Sequence, residues 1–369
     1  MKQKRYIIIS ILIVSLFMLN CITVFAATEI SRIPLGSIAS INVKGLMHSP
    51  SIIDKGKKVL GFTTYYYSGD TSSYNSMTAN YSLIDEIAAD TYTTDSMGNL
   101  TGNVPTSQID YANLKGIKTM AMVTNNFDGD IAKNILESSV NRQALINNII
   151  TALGANGYKG VNIDLEGIYY YDRSYFTVFM RELYNSLKPQ GFTVTIDVPA
   201  KTYDSTKDGW NGAYDYAGLA PYADSVVIMT YDEHYPGGTS GPVASIGWVQ
   251  NVIKYAVTVI PKSRILLGTA AYGYDWSSSG TKAYGIRGIY NLASAYGADV
   301  LWDSASQSPY FAYKDASGVS HNVWFENGTS LVYKLDLVNS YDISGIGIWR
   351  LGLEDTDYWE TIKAKTVKN

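Results

Sequence analysis

Gly160-Val161-Asn162-Ile163-Asp164-Leu165-Glu166 is the stretch from which the fold is read. It alternates apolar and polar residues directly after the turn-like Gly154-Ala155-Asn156-Gly157, which predicts a short β-strand over 160–166. Alternation sets Asn162, Asp164 and Glu166 on one face and Val161, Ile163 and Leu165 on the other. The two acids close the strand at its C-terminal end. Carboxylates this near each other repel and push their pKa values apart. Such a pair can supply a proton donor and a lasting anion near neutral pH. The competing reading is a structural carboxylate pair held by Arg or Lys.

Outward from this strand, the chain alternates strand-like and helix-like pieces from Lys58 onward. Strands are expected over Val59–Tyr66, Glu86–Tyr92, Ile117–Thr124, Gly160–Glu166, Phe192–Val198, Asp224–Tyr231, Arg264–Tyr272 and Gly345–Arg350. Runs such as Val226-Val227-Ile228-Met229 are continuously apolar, as parallel strands covered on both faces are. Helices are expected over Asn134–Leu153, Arg173–Leu187, Ile246–Val259 and Ser330–Tyr341. Eight strands, each followed by a helical or loop segment, predict an α/β fold of the (β/α)8 TIM-barrel type. A doubly wound sheet is the alternative, but Gly61-Phe62-Thr63-Thr64 is not the Gly-rich phosphate turn it would need. The connection from Asp275 to Asn322 is too long for a plain loop. It reads as a small α+β insertion between strands seven and eight, standing beside the barrel mouth.

The 369 residues carry a formal net charge of -4, which gives no electrostatic case for nucleic acid. Tyr is abundant, with 31 copies. Its flat apolar face and hydroxyl suit sugar rings, and it is also favoured simply as a strand residue. Lys2, Lys4 and Arg5 precede an apolar run from Tyr6 to Phe25, and Val24-Phe25-Ala26 fits a small-x-small cleavage pattern. Residues 1–26 therefore read as a secretory signal peptide, with an uncleaved membrane anchor as the alternative. Residues 27–57 read as a leader and 58–369 as the catalytic barrel. The single cysteine, Cys21, falls in the signal segment, so the mature chain relies on its core rather than on disulfides. His48, His234 and His321 lack metal-ligand spacing, Asp128-Gly129-Asp130 is a turn too short for a calcium loop, and no Gly-x-Ser-x-Gly elbow occurs. Neither metal nor cofactor is expected.

In a barrel the site lies at the C-terminal strand ends. Strand four ends in Asp164 and Glu166, strand six in Met229-Thr230-Tyr231-Asp232, strand seven in Tyr272-Gly273-Tyr274-Asp275-Trp276, and strand eight in Trp349-Arg350. Tyr65, at the end of strand one, joins the candidates. Acids ringed by aromatics are the composition of a carbohydrate cleft. On these residues the chain resembles glycoside hydrolase family 18. Gly160–Glu166 is similar to the Asp-Gly-x-Asp-x-Asp-x-Glu signature, Met229–Asp232 to the strand-six Met-x-Tyr-Asp, and Trp349 to the strand-eight tryptophan. Residues 231–238, Leu267-Gly268 with 272–276, and 345–355 resemble the spore cortex-lytic and spore-germination branch. The resemblance covers nearly all of 58–369.

The resemblance implies retaining hydrolysis in which the substrate's own 2-acetamido oxygen is the nucleophile. It casts Glu166 as general acid and base, Asp164 as the partner of the acetamido N–H, and Tyr231 as the holder of the acetamido carbonyl. Trp349 would be the sugar floor, with Met229, Asp232, Asn162, Tyr65 and Tyr272 also contacting substrate. Two positions depart from the signature: Lys159 stands where the first Asp belongs, and Asn162 replaces the second. An amide at 162 cannot titrate, and it is expected to donate to Asp164 and hold that carboxyl ionised. The expected partner is a polysaccharide, peptidoglycan or chitin oligomers, acted on by a secreted or wall-associated monomer. A catalytically silent sugar-binding protein is the alternative, and the presence of Glu166 argues against it.

Overall fold

The computed structural model describes residues 56–366. The signal segment 1–26, nearly all of the leader 27–57, Cys21 and His48 lie outside the described residues. Strand β1 (Lys58–Thr63) is followed by β2 (Glu86–Thr94), a short β3 (Leu100–Gly102), β4 (Lys118–Thr124), β5 (Gly160–Asp164), β6 (Thr193–Pro199), β7 (Ser225–Met229) and β8 (Ile265–Ala270). An insertion carries β9 (Tyr272–Ser277), β10 (Gly280–Gly285), β11 (Leu301–Asp303), β12 (Ser308–Lys314) and β13 (Ser320–Phe325), and β14 (Gly345–Trp349) ends the sheet. All pairings in the order β1-β14-β8-β7-β6-β5-β4-β2 are parallel. β1 also pairs with β2, Leu60 opposite Glu86, so the sheet closes into the expected (β/α)8 barrel. β3 is an antiparallel addition to β2.

Strand alternation sorts the core into two layers. Leu60, Phe62, Ala88, Met120, Met122, Val227 and Leu266 fill the barrel interior. The opposite faces of the strands pack under the helices, where Ile163 and Val161 meet residues such as Leu145, Ile149 and Phe179. At the N-terminal mouth Glu86 is buried, with Lys58 at 3.1 Å and Lys118 at 3.3 Å. This end of the barrel is a charge-balanced plug.

Three sequence expectations shift. The helix read over Asn134–Leu153 is two helices, Gly129–Glu137 and Ser139–Asn156. Ser138 between them is extended, and its hydroxyl accepts from Asn141 N at 3.3 Å. A serine offering its own cap competes with helix continuation. The strand read over Arg264–Tyr272 ends at Ala270; the Ala271 N–H makes the last ladder bond to β14, to Trp349 O, and the chain then enters β9 at Tyr272. The strand read over Gly160–Glu166 stops at Asp164.

The insertion extends past both ends of the expected 275–322. Its antiparallel sheet has the order β10-β9-β13-β12-β11, covered by the helix Ile286–Ala295 through Ile289, Ala293, Phe311, Val323 and Phe325. Its return to the barrel is pinned by a buried pair, Lys334 Nζ to Glu326 Oε2 at 2.7 Å, each side chain 2% exposed. Ser330 Oγ donates to the same oxygen. Removing one partner of such a pair strands a buried charge. Lys334→Met is therefore expected to lower unfolding free energy by about 3–5 kcal/mol near neutral pH. The loss should be smaller in mild acid, where Glu326, whose pKa burial already raises, takes up a proton. Urea unfolding at the two pH values checks both parts.

Candidate active site

The end of β5 is built by its neighbours rather than by strand pairing. Asn125, one residue past β4, clamps the next peptide: its Oδ1 accepts from Glu166 N at 2.8 Å, and its Nδ2 donates to Glu166 O at 2.8 Å. Tyr214 OH donates to Leu165 O at 2.8 Å. Gly167 then turns the chain with φ +67°, in a space where a Cβ would meet Phe127 O at 2.8 Å. Glu166 thus sits on a clamped turn, with Asp164 9% and Glu166 8% exposed.

The competing reading, a structural pair held by Arg or Lys, finds no such cation here. Among the described residues neither Asp164 nor Glu166 has a Lys, Arg or His within ion-pair distance, in contrast to Glu86 at the other mouth. Burial without a counter-ion favours the protonated form. Asp164 is pushed up to about 7 by burial and then by the Asp90 charge. Glu166 is raised well above its ordinary value by burial, then by Asp164, Asp197 and Asp232.

Asn162 does not do what the sequence suggested. It is fully buried, and its amide donates to Thr195 Oγ1 at 3.0 Å and Asp197 Oδ1 at 2.9 Å, both on β6, not to Asp164. It therefore neither holds Asp164 ionised nor reaches a substrate. The reason is register: Asn162 lies opposite Thr195, so the nearest acceptors are across the ladder rather than two residues along its own strand.

Past β7, Thr230 is tied to Gly268 O by its hydroxyl at 2.6 Å. The ring of Tyr231 lies over β8, where a Cβ on Gly268 would come within 3.0 Å of its Cε1. Asp232 has φ +59°, and its Oδ1 accepts from Tyr272 OH at 2.6 Å and Tyr274 OH at 2.8 Å. Burial lifts Asp232 to about 6 against these two hydrogen bonds. Tyr272 is 2% exposed, so it props Asp232 and packs edge-on to Tyr231 rather than facing the cleft. Met229 is half-buried at the end of β7, opposite Pro199. Trp349 is half-buried, edge-on to Phe62 at 5.4 Å. It joins the barrel interior to the insertion cluster of Tyr272, Tyr274 and Trp276.

At the β1 end, Tyr65 is half-buried, but its neighbour Tyr66 is the residue engaged with the charged floor. The Arg350 guanidinium lies 5.4 Å from the Tyr66 ring centre. Arg350 also opposes the burial that lifts Asp90 to about 6. Sequence reasoning missed Tyr66, Asp90, Asn125, Asp197 and Tyr214. Tyr66 and Asn125 had a signal, since each lies at or just beyond the C-terminal end of an expected strand, and Asp90 and Asp197 lie within two residues of such an end. The loops after β1, β5 and β6 also expose Tyr67, Tyr170, Tyr171, Tyr203 and Trp210 around this face.

A closed barrel whose uncompensated acids gather at one mouth beside Tyr231, with aromatics exposed on the loops of the same face, has the composition of a sugar-cleaving hydrolase. A profile of the glycosyl hydrolases family 18 matches residues 49–354, and the chain belongs to that family. It is 34% identical over 318 residues to the uncharacterized glycosylase YvbX of Bacillus subtilis, covering 84% of this chain and 92% of that protein. It is 30% identical to the cortical fragment-lytic enzyme of Bacillus subtilis, spanning 65% of this chain but only 58% of that protein. The crystal structure of the Bacillus cereus spore cortex-lytic enzyme SleL superposes with TM-score 0.81 at 27% identity, over 86% of this chain and 76% of that one. The chain is a glycoside hydrolase acting on a polysaccharide.

The raised carboxyls have a consequence for stability. In the unfolded chain they ionise near pH 4. In the fold Asp90 and Asp232 hold protons to about 6 and Asp164 to about 7. Between these limits the folded state binds more protons, so unfolding free energy falls as pH rises. Thermal unfolding should show stability declining from about pH 4 to about pH 7, and Asp164→Asn should flatten part of that slope. A rise over the same interval would contradict the reading of these groups as buried and uncompensated.

Proposed function

We propose that the protein is an exported, monomeric N-acetylglucosaminidase that cleaves β-linked N-acetylglucosamine in peptidoglycan by retaining, substrate-assisted hydrolysis. The observation that carries this reading is the Asp164–Glu166 pair, buried with no Lys, Arg or His ion-pair partner among the described residues, its charges acting on Tyr231. Raised by its surroundings, Glu166 carries a proton near neutral pH and gives it to the glycosidic oxygen as the bond to the anomeric carbon breaks. The acetamido oxygen of the same sugar attacks that carbon. Asp164 takes the acetamido N–H and balances the cationic ring that forms. Tyr231 holds the acetamido carbonyl in line for attack. Glu166, now a carboxylate, removes a proton from water, which opens the ring with net retention.

The substrate class is favoured by the cortex-lytic names among the relatives and by the shape of the reaction. Only the sugar on the glycone side needs an intact acetamido group and a tight pocket. Cutting after N-acetylglucosamine places the lactyl-bearing sugar and its peptide on the leaving side, where the insertion can border a wider cleft. The exposed Tyr170, Tyr171, Tyr203 and Trp210 offer flat faces on which sugar rings can stack.

Glu166→Gln keeps shape and hydrogen bonding but cannot donate a proton. Its turnover is expected to fall roughly 10²- to 10⁴-fold, with oligosaccharide binding retained in calorimetry. Digested peptidoglycan, reduced with borohydride and analysed by mass spectrometry, should carry reduced N-acetylglucosamine at the new ends. Reduced lactyl sugar would make the enzyme a muramidase, and cleavage of chitin oligomers alone would remove peptidoglycan as substrate. A sugar trapped covalently on a side chain would overturn the acetamido route.

A further inference from the structure

Asp197 is a buried acid to which the proposed chemistry gives no task. It lies on β6 and is 3% exposed. The register sets Asn162 opposite Thr195 and Ile163 opposite Ile196, and one further step along the parallel pair brings Asp164 beside Asp197. Thr195 and Asp197, two residues apart, share a face of the sheet, and the Asn162 amide spans both. That contact occupies Oδ1 of Asp197. Oδ1 of Asp164 is buried with no hydrogen-bond partner.

We propose that Asp197 is a positioning residue of this site: a carboxylic acid, fixed by Asn162, that keeps its proton at working pH and stands as the neutral neighbour against which Asp164 carries negative charge. Relative to the signature that the chain resembles, the acid at 162 is replaced by an amide, and that amide bonds an acid across the ladder, Asp197 on β6. Two buried carboxyls side by side cannot both ionise freely. Asp164 is the more exposed, 9% against 3%, so it gives up its proton first. The direction of the shifts agrees: Asp164 rises to about 7, whereas Asp197 is raised well above its ordinary value by burial and then by Asp164, the Asn162 hydrogen bond pulling the other way without offsetting them. A protonated carboxyl is also a donor, which the unpartnered oxygen of Asp164 needs.

The groups facing Asp197 are Asp164 and Asn162 on β5, Glu166 beyond it, and Tyr231 beyond β7, with Asp232 acting on Glu166 and Asp90 on Asp164. The Arg350 field falls on Asp90 and Tyr66, and none of the ion pairs among the described residues neutralises Asp197.

The kinetic part of the test rests on the proposed acetamido route; the spectroscopic part does not need it. Infrared spectra of substrate-free protein carrying isotope-labelled aspartate should retain a protonated-carboxyl band near pH 8, where Asp90, Asp232 and Asp164 are ionised, and Asp197→Asn should remove it. Absence of the band in the wild-type protein overturns the proposal whatever the variants do. In kcat against pH, Asp197→Asn preserves a neutral donor and should leave the acidic limb in place. Asp197→Ala removes that donor, so the limb should move up by about one unit, with KM little changed. An acidic limb that moves down in Asp197→Asn would mean that Asp197 works as an anion, and an unmoved limb in a folded Asp197→Ala would make it merely structural. If acetamido assistance itself fails, the infrared result still stands or falls alone.

Discussion

The constraint on which this structure turns is the unequal treatment of buried charge at the two mouths of one barrel. At the N-terminal mouth a single acid, Glu86, has two lysines, and its charge is spent on holding strands together. At the C-terminal mouth Asp90, Asp164, Glu166, Asp197 and Asp232 converge, with Arg350 opposing only the first of them directly. A barrel can tolerate this because its strands and helices are already held by apolar layers on both faces. The uncompensated acids then settle their energy by keeping protons, and a site that keeps protons near neutral pH is able to give one away.

The fold was legible because its signals are local. Near-continuous apolar strands alternating with helices specify a closed parallel sheet, and every expected barrel strand is present within a few residues. What failed was local competition: a serine cap divided one helix at Ser138, and Tyr272 passed from the barrel strand to β9, which pairs with the insertion strands β10 and β13. Those events depend on single side chains or on a partner far along the chain, which periodicity does not report.

The site was legible along each strand and illegible across them. Asp164, Glu166, Tyr231, Asp232 and Trp349 lie at one mouth, as their places at the ends of barrel strands led one to expect. The Asn162 contact was misassigned because two residues along one strand looked nearer than one ladder step to β6. Asp197 was passed over although it stands one residue from the end of its expected strand, since an acid inside Thr193–Pro199 reads in sequence as a break in an apolar run. Asn125 marks another side of this limit: its place just past β4 sets it at the mouth, but nothing in its own segment announces that it fixes both backbone groups of Glu166, 41 positions away.

The insertion is more than a wall. Its first strand, β9, supplies both tyrosine hydroxyls that Asp232 accepts, and its ladder runs from β10 through β9 to β13. Those hydroxyls pull Asp232 towards ionisation against its burial, and Asp232 in turn raises Glu166. The apolar cluster of Tyr272, Tyr274 and Trp276 packs against Tyr231 and Trp349. The side chains proposed to hold the acetamido group and to floor the sugar therefore rest on residues that exist only when the insertion is folded. Pairing of β9 with β13, at the edge of the barrel, is thus a condition for the electrostatics of the acids at its centre.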